Sequence, residues 1–286
     1  MAMTNRNVRT WCVILCAALA VSGALTEISA QDAGRSAPPV TPRAADGRPD
    51  LTGIWVAGNA SPQTPSVDSK GSIQVFLTVP GLNPDSPTVF KEMDSLTVQR
   101  RAASPNKPVY KPEFVAKVKE LSDLQAKLDP AFFCKLPGVP RMGAPAQIVQ
   151  APGQIVLLYG DHNAFRVVPT DGRKHRTDIE PSYLGDSIGW WEGDTLLVEA
   201  NQFTEDTWLG SDGYFHSPAM RVIERFQRVG DTLQYSATVH DPEVLAEPWN
   251  IPARTLRLSI DPGDALVEVP PCIERDSPHM LTNEHH

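Results

Sequence analysis

Residues 220–226 read Met220-Arg221-Val222-Ile223-Glu224-Arg225-Phe226. Side chains alternate across a strand, so Met220, Val222, Glu224 and Phe226 share one face, while Arg221, Ile223, Arg225 and Gln227 share the other. The first face is the greasier and reads as the inner one, with a carboxylate in its middle. A charge on an apolar face is costly unless it is paired or protonated. Two readings of Glu224 follow. One is a structural ion pair with an inward arginine such as Arg166. The other is a general acid or base, or a polar anchor for a ligand held inside a barrel.

Outward from this strand, Val229-Gly230-Asp231 and then Thr232 to Val239 complete a hairpin. Trp190-Trp191, Glu192-Gly193-Asp194 and Thr195 to Val198 spell a second, tighter one. Ile73–Val79, Ile155–Tyr159, Phe165–Val168, Thr255–Ile260 and Leu266–Val269 are further β-prone runs bounded by turn residues. The pattern predicts an all-β, mainly antiparallel domain: a closed or nearly closed barrel of about eight to ten strands. One amphipathic helix is expected outside it, over residues 112–128. Pro112 suits a first helical position, Phe114, Val118, Leu121, Leu124 and Leu128 recur at three- and four-residue steps, and Asp129-Pro130 stops the run.

Residues 1–30 have the layout of a cleavable export signal. Arg6 and Arg9 precede an apolar stretch from Trp11 to Leu25, and Ile28-Ser29-Ala30 stands before Gln31. That stretch is shorter than the roughly 18–20 residues a spanning helix needs, so no permanent membrane span is expected. A periplasmic or secreted location follows. Residues 31–49, rich in Ala, Pro, Arg and Gly, read as a flexible leader, and 50–286 as a single β-rich domain. Removing Arg6, Arg9 and Glu27 with the signal leaves 24 basic against 33 acidic residues, a net charge of −9. That balance argues against nucleic acid as a partner. Cys134 and Cys272 survive cleavage, and two lone cysteines in an oxidising compartment read as one disulfide.

His216, in Gly213-Tyr214-Phe215-His216-Ser217, is placed at a rim of the barrel, where it is either an acid–base group or an exposed loop histidine. Arg166 and Arg225 are candidates to steady a developing anion. Trp190, Trp208 and Tyr235 are candidate ligand contacts, with Trp191 and Trp249 as further aromatics, and all of these serve equally well as core. The scattered histidines show no metal-ligand spacing, so no metal is expected. Gly185-Asp186-Ser187-Ile188-Gly189 has the G-x-S-x-G spacing, but it runs into the Trp190-Trp191 hairpin and not into a helix, so it is not read as a nucleophile elbow. The absence of a GxGxxG or P-loop phrase leaves no cofactor indicated.

Several phrases taken together resemble a widespread group of bacterial secreted proteins of uncharacterised activity. They are Pro49-Asp50-Leu51-Thr52-Gly53-Ile54-Trp55, Cys134 through Pro140-Arg141, Asp171-Gly172-Arg173, Trp191-Glu192-Gly193-Asp194-Thr195-Leu196, His216-Ser217 with Glu224-Arg225-Phe226, and Asp241-Pro242. Pro218 after His216-Ser217, and the order Cys134-Lys135-Leu136-Pro137, depart from that pattern. The Gly53-x-Trp55 opening also resembles lipocalin-like (calycin) barrels, which implies a closed barrel with room for one small ligand. Three functions stay open on the sequence. The first is an exported protein binding a small, at least partly apolar molecule. The second is a cofactor-independent lyase, isomerase or hydrolase moving a proton with Glu224 or His216. The third is an envelope structural protein. Oligomeric state is not legible.

Overall fold

Alternation in the sequence becomes register in the structure. The computed structural model describes residues 40–57, 66–67, 73–74, 106–210 and 212–271 of the chain. The strands are β1 (Gly53–Ala57), β2 (Ser66–Val67), β3 (Ile73–Gln74), β4 (Gln147–Ala151), β5 (Gln154–Leu158), β6 (Phe165–Pro169), β7 (Asp186–Glu192), β8 (Thr195–Asn201), β9 (Arg221–Val229), β10 (Thr232–His240) and β11 (Trp249–Ser259). β2 and β3 pair only with each other. The other nine form one antiparallel sheet in the order β6-β5-β4-β1-β11-β10-β9-β8-β7, curled into a nearly closed barrel with one unsealed seam. Every neighbouring pair in it is antiparallel.

The seam lies between the two sheet edges, β6 and β7, which stand close without exchanging a ladder of hydrogen bonds. Gly189 of β7 permits the approach. A Cβ there would meet Val168 Cγ1 at 3.0 Å and Thr170 Cγ2 at 3.1 Å.

Met220, Val222, Glu224 and Phe226 all point inward, each at most 1 % exposed. Around them Ile148, Ile155, Leu157, Val168, Leu196, Val198, Leu233 and Val239 are equally buried. A side chain bordering an enclosed void would still offer surface to a water-sized probe, so these values describe a filled barrel. Each such Leu, Val or Phe contributes roughly 1.5–3 kcal/mol over an exposed one.

The helix is shorter than its periodicity predicts. A 3₁₀ turn at Pro112–Phe114 leads into α1 (Val115–Asp123), Leu124 breaks the run at φ −107° and ψ 18°, and a single turn, α2 (Gln125–Leu128), follows. Phe114, Val118 and Leu121 pack on the core, but Leu124 and Leu128 are 40 % and 44 % exposed. Asp129 is fully buried and takes Arg141 in a two-pronged pair at 2.7 and 2.8 Å, which fixes where the chain must go after α2. Among the described residues no helix is long and apolar enough to cross a membrane.

Three other expectations change. Residues 40–49 lie against the barrel, with Arg43 bidentate on Asp194 at 2.5 and 2.7 Å and bridged to Pro49, so order begins before Leu51. Leu266–Val269 is not a strand. Its Val269 exchanges two hydrogen bonds of 2.9 Å with the Asn163 side chain instead of joining a ladder. β4 had not been expected. Only the first two residues of the run at 73–79 are described, and Cys272 lies outside the described residues.

Candidate functional site

Glu224 sits at mid-strand in the barrel centre, and its carboxylate is fully engaged. Oε2 accepts from Arg166 Nη2, and Oε1 accepts from the Tyr235 hydroxyl at 3.0 Å. Arg166 in turn donates Nε to the Tyr159 hydroxyl oxygen at 3.0 Å and Nη1 to Ser187 Oγ at 3.4 Å. The five side chains come from β5's end, β6, β7, β9 and β10, and all are at least 94 % buried. Burial draws the Arg166 guanidinium down, but the Glu224 carboxylate beside it outweighs that and leaves it above its ordinary value. Burial, reinforced by the same carboxylate, raises the Tyr235 phenol. The arrangement is a satisfied ionic network, which a low-dielectric interior makes rigid. Of the two sequence readings of Glu224, this geometry is the ion pair with Arg166.

His216 belongs to another neighbourhood. It is 3 % exposed, where the sequence allowed an open loop position. Its Nδ1 faces the Ser217 carbonyl oxygen at 2.9 Å, which can only accept, and its Nε2 lies 2.7 Å from the Thr207 hydroxyl, which also reaches the Thr204 carbonyl oxygen at 3.2 Å. Burial lowers its pKa. Next to it Asp241 accepts from Ser217 N and Ser217 Oγ, both at 2.7 Å, and from the amides of Glu243 and Val244 at 3.2 and 3.4 Å. The His216-Ser217 and Asp241-Pro242 phrases, 24 residues apart, thus meet as one bracket. Glu224 and His216 share no hydrogen-bond partner.

The remaining candidates separate as well. Arg225 is exposed on the outer wall. Trp190 is also on that wall, its Nε1 donating to Glu192 Oε1 at 3.2 Å. Trp208 is 6 % exposed and pairs with Phe215 beside His216. Only Tyr235 and Arg166 join Glu224.

Space for a small molecule opens at the rim on which His216 lies. Where β8 ends and β9 begins, beside the chain leaving β10, a half-open cleft of about 730 Å³ is lined by Met220, Arg221, His240, Leu245, Asn201 and Lys111, among others. Neither Glu224 nor His216 reaches it. Arg221 and His240 are register partners on β9 and β10. Just outside, Arg221 Nη1 donates to Glu199 Oε2 at 2.7 Å. His175 is wedged between Glu199 Oε1 at 3.3 Å and Asp186 Oδ2 at 2.7 Å. Burial, and then the nearby Arg221 charge, lower the His240 pKa. Two further hollows lie elsewhere: a groove of about 670 Å³ along α1 by Tyr110 and Tyr214, and one of about 410 Å³ by Trp55 and Met142.

The sequence signal for this cleft was faint. Lys111, Arg221 and Leu245 are far apart in the chain, and no motif links them. Among the described residues no group of three or more His, Cys, Asp or Glu is arranged to hold a metal ion. In architecture the chain defines a nearly closed β-barrel with a filled ionic–apolar core and an open rim cleft. No family model, no curated protein and no solved structure matches it.

Proposed function

We propose that this is an exported β-barrel protein that binds a small, partly apolar molecule, and that the molecule sits in the rim cleft, not in the barrel interior. The carrying observation is the contrast between a packed interior and a cleft of about 730 Å³ with Met220 and Leu245 beside Lys111, Arg221 and His240. That volume is within the roughly 300–1,000 Å³ of ordinary ligand pockets, and an apolar lining with a few polar groups is their usual chemistry. In this reading the Glu224–Arg166 network is scaffold. It fixes the strands whose ends form the cleft. The export signal at 1–30 delivers the chain to a periplasmic or extracellular location, where Cys134 pairs with Cys272.

Ala219 is exposed and lines the cleft, so Ala219→Trp fills it without touching the core. Native mass spectrometry of protein purified from its own envelope is the test. The reading expects a mature chain beginning at Gln31 and an adduct of defined mass that Ala219→Trp loses while circular dichroism stays unchanged. An adduct that survives the substitution, or no adduct at all, overturns it.

A further inference from the structure

Lys111 stands apart among the charged groups that line the rim cleft. Lys111 Nζ donates to the Pro242 carbonyl oxygen at 2.7 Å, which leaves two of its N–H groups for other acceptors. Among the described residues no carboxylate stands within ion-pair distance of this ammonium. Arg221 lines the same cleft and is in register with His240, two residues before Pro242. One of its nitrogens goes to Glu199, whose other oxygen faces His175, away from the cleft lining. Two carboxylates, Asp241 and Glu247, also line the cleft, and neither pairs with Lys111. Asp241 is 2 % exposed, and its two oxygens are filled by Ser217 and two backbone amides. Glu247 is on the exposed lip. His240, its pKa lowered, adds no positive charge at neutral pH. The rest of the lining is apolar or neutral: Pro218, Met220, Leu245, Pro248 and the amides of Asn201 and Gln202.

We infer that the cleft selects a carboxylate carried on an apolar body, with the anion between Lys111 and Arg221 and the body against Met220, Pro218 and Leu245. This rests on the cleft being the binding site and adds the chemical class of the ligand. The chain as a whole is acidic, with a net charge of −8, so its overall field repels an anion and the local cations must supply the attraction. A charge-assisted contact to Lys111 discriminates an acid from its neutral isostere.

The probes are phenylalkyl and straight-chain alkyl carboxylates and their primary amides, titrated calorimetrically into the full mature protein. The acids should bind saturably, and each amide should bind roughly tenfold or more weakly. Lys111→Met keeps the aliphatic stem and should bring each acid down to its amide, whereas Lys111→Arg should keep the preference. Urea midpoints of both variants confirm that they fold as the parent does. Equal affinity of acid and amide, an acid affinity that Lys111→Met leaves unchanged, or no saturable binding by any acid overturns the assignment. The two readings fail separately. If the native adduct is lost in Ala219→Trp while acids and amides bind alike, only the anion preference falls. If Ala219→Trp leaves acid binding intact, the cleft itself is the wrong place.

Discussion

Arg166 on β6 reaches across the barrel interior to Glu224 on β9, joining strands on opposite sides of the seam that no hydrogen-bond ladder closes. Two strands, β7 and β8, separate Glu224 from that seam in sheet order. The ion pair and the Arg166–Ser187 contact therefore close the barrel from within. Glu224→Gln keeps the shape but leaves a buried guanidinium without its counter-charge, a class of change that costs about 3–5 kcal/mol. The double variant Arg166→Met/Glu224→Leu removes both charges and should recover most of that loss. Urea unfolding of the two variants decides the matter. A single variant as stable as the parent would show that the pair does not hold the seam.

The inner face of β9 was legible because period-two alternation is a local signal, and Met220, Val222, Glu224 and Phe226 obey it without interruption. β4 was missed for the opposite reason. Of Gln147-Ile148-Val149-Gln150-Ala151 only Ile148 is buried, so the stretch carries almost no pattern. Leu266–Val269 looks like a strand by composition, yet what holds it is Asn163, about a hundred residues away. Arg43 anchors residues 40–49 by charge, to which a test of hydrophobic content is blind. The cleft is least legible of all. The β9–β10 hairpin sets Arg221 against His240, but Lys111 and Leu245 join them only in the folded chain, and no spacing along the chain encodes that.

The lowered pKa of His216 makes a pH prediction with a defined sign. Its ordinary value is 6.5, and burial holds the folded-state value below that. Between the two, the unfolded chain binds a proton that the folded chain does not, so stability rises with pH through that window. It is complete above about 6.5 and falls as the pH drops toward the folded-state value. His240 acts in the same direction. His216→Gln, which can still face Thr207, should flatten part of the slope of melting temperature against pH below 6.5. A parent protein whose melting temperature rises on acidification through this range would contradict the assignment.

Gly213 has φ +74°, and a Cβ there would stand 2.5 Å from the Val118 carbonyl oxygen and 2.6 Å from the Ser122 amide nitrogen. Both neighbours are backbone of α1, so the contact cannot be relieved by turning a side chain. Gly213→Ala combines this clash with a left-handed backbone and should cost roughly 1–3 kcal/mol. It should also lift α1 from the loop that carries Tyr214 and Phe215. Hydrogen exchange localises the effect: faster exchange is expected at residues 115–123, with β9 and β10 unchanged. Uniform protection across the parent and the variant would mean that the helix is not seated on this glycine.

Asp129 and Arg141 make the other buried pair that orders the chain, and it tests whether the bend after α2 is tertiary in origin. Asp129 is fully buried, its Oδ1 also accepts from the Ala131 amide at 3.1 Å, and Arg141 grips both oxygens while its own side chain is 17 % exposed. A planar guanidinium can satisfy two carboxylate oxygens at once and an ammonium cannot. Arg141→Lys should therefore lose stability in spite of the conserved charge. Asp129→Ala should lose more, toward the roughly 3–5 kcal/mol of a broken buried pair. If the pair also dictates where the helix breaks, Asp129→Ala should change exchange at residues 124–133 while leaving 115–121 protected. Equal stability of Arg141→Lys and the parent in urea would show that the two-pronged geometry is not what holds this corner.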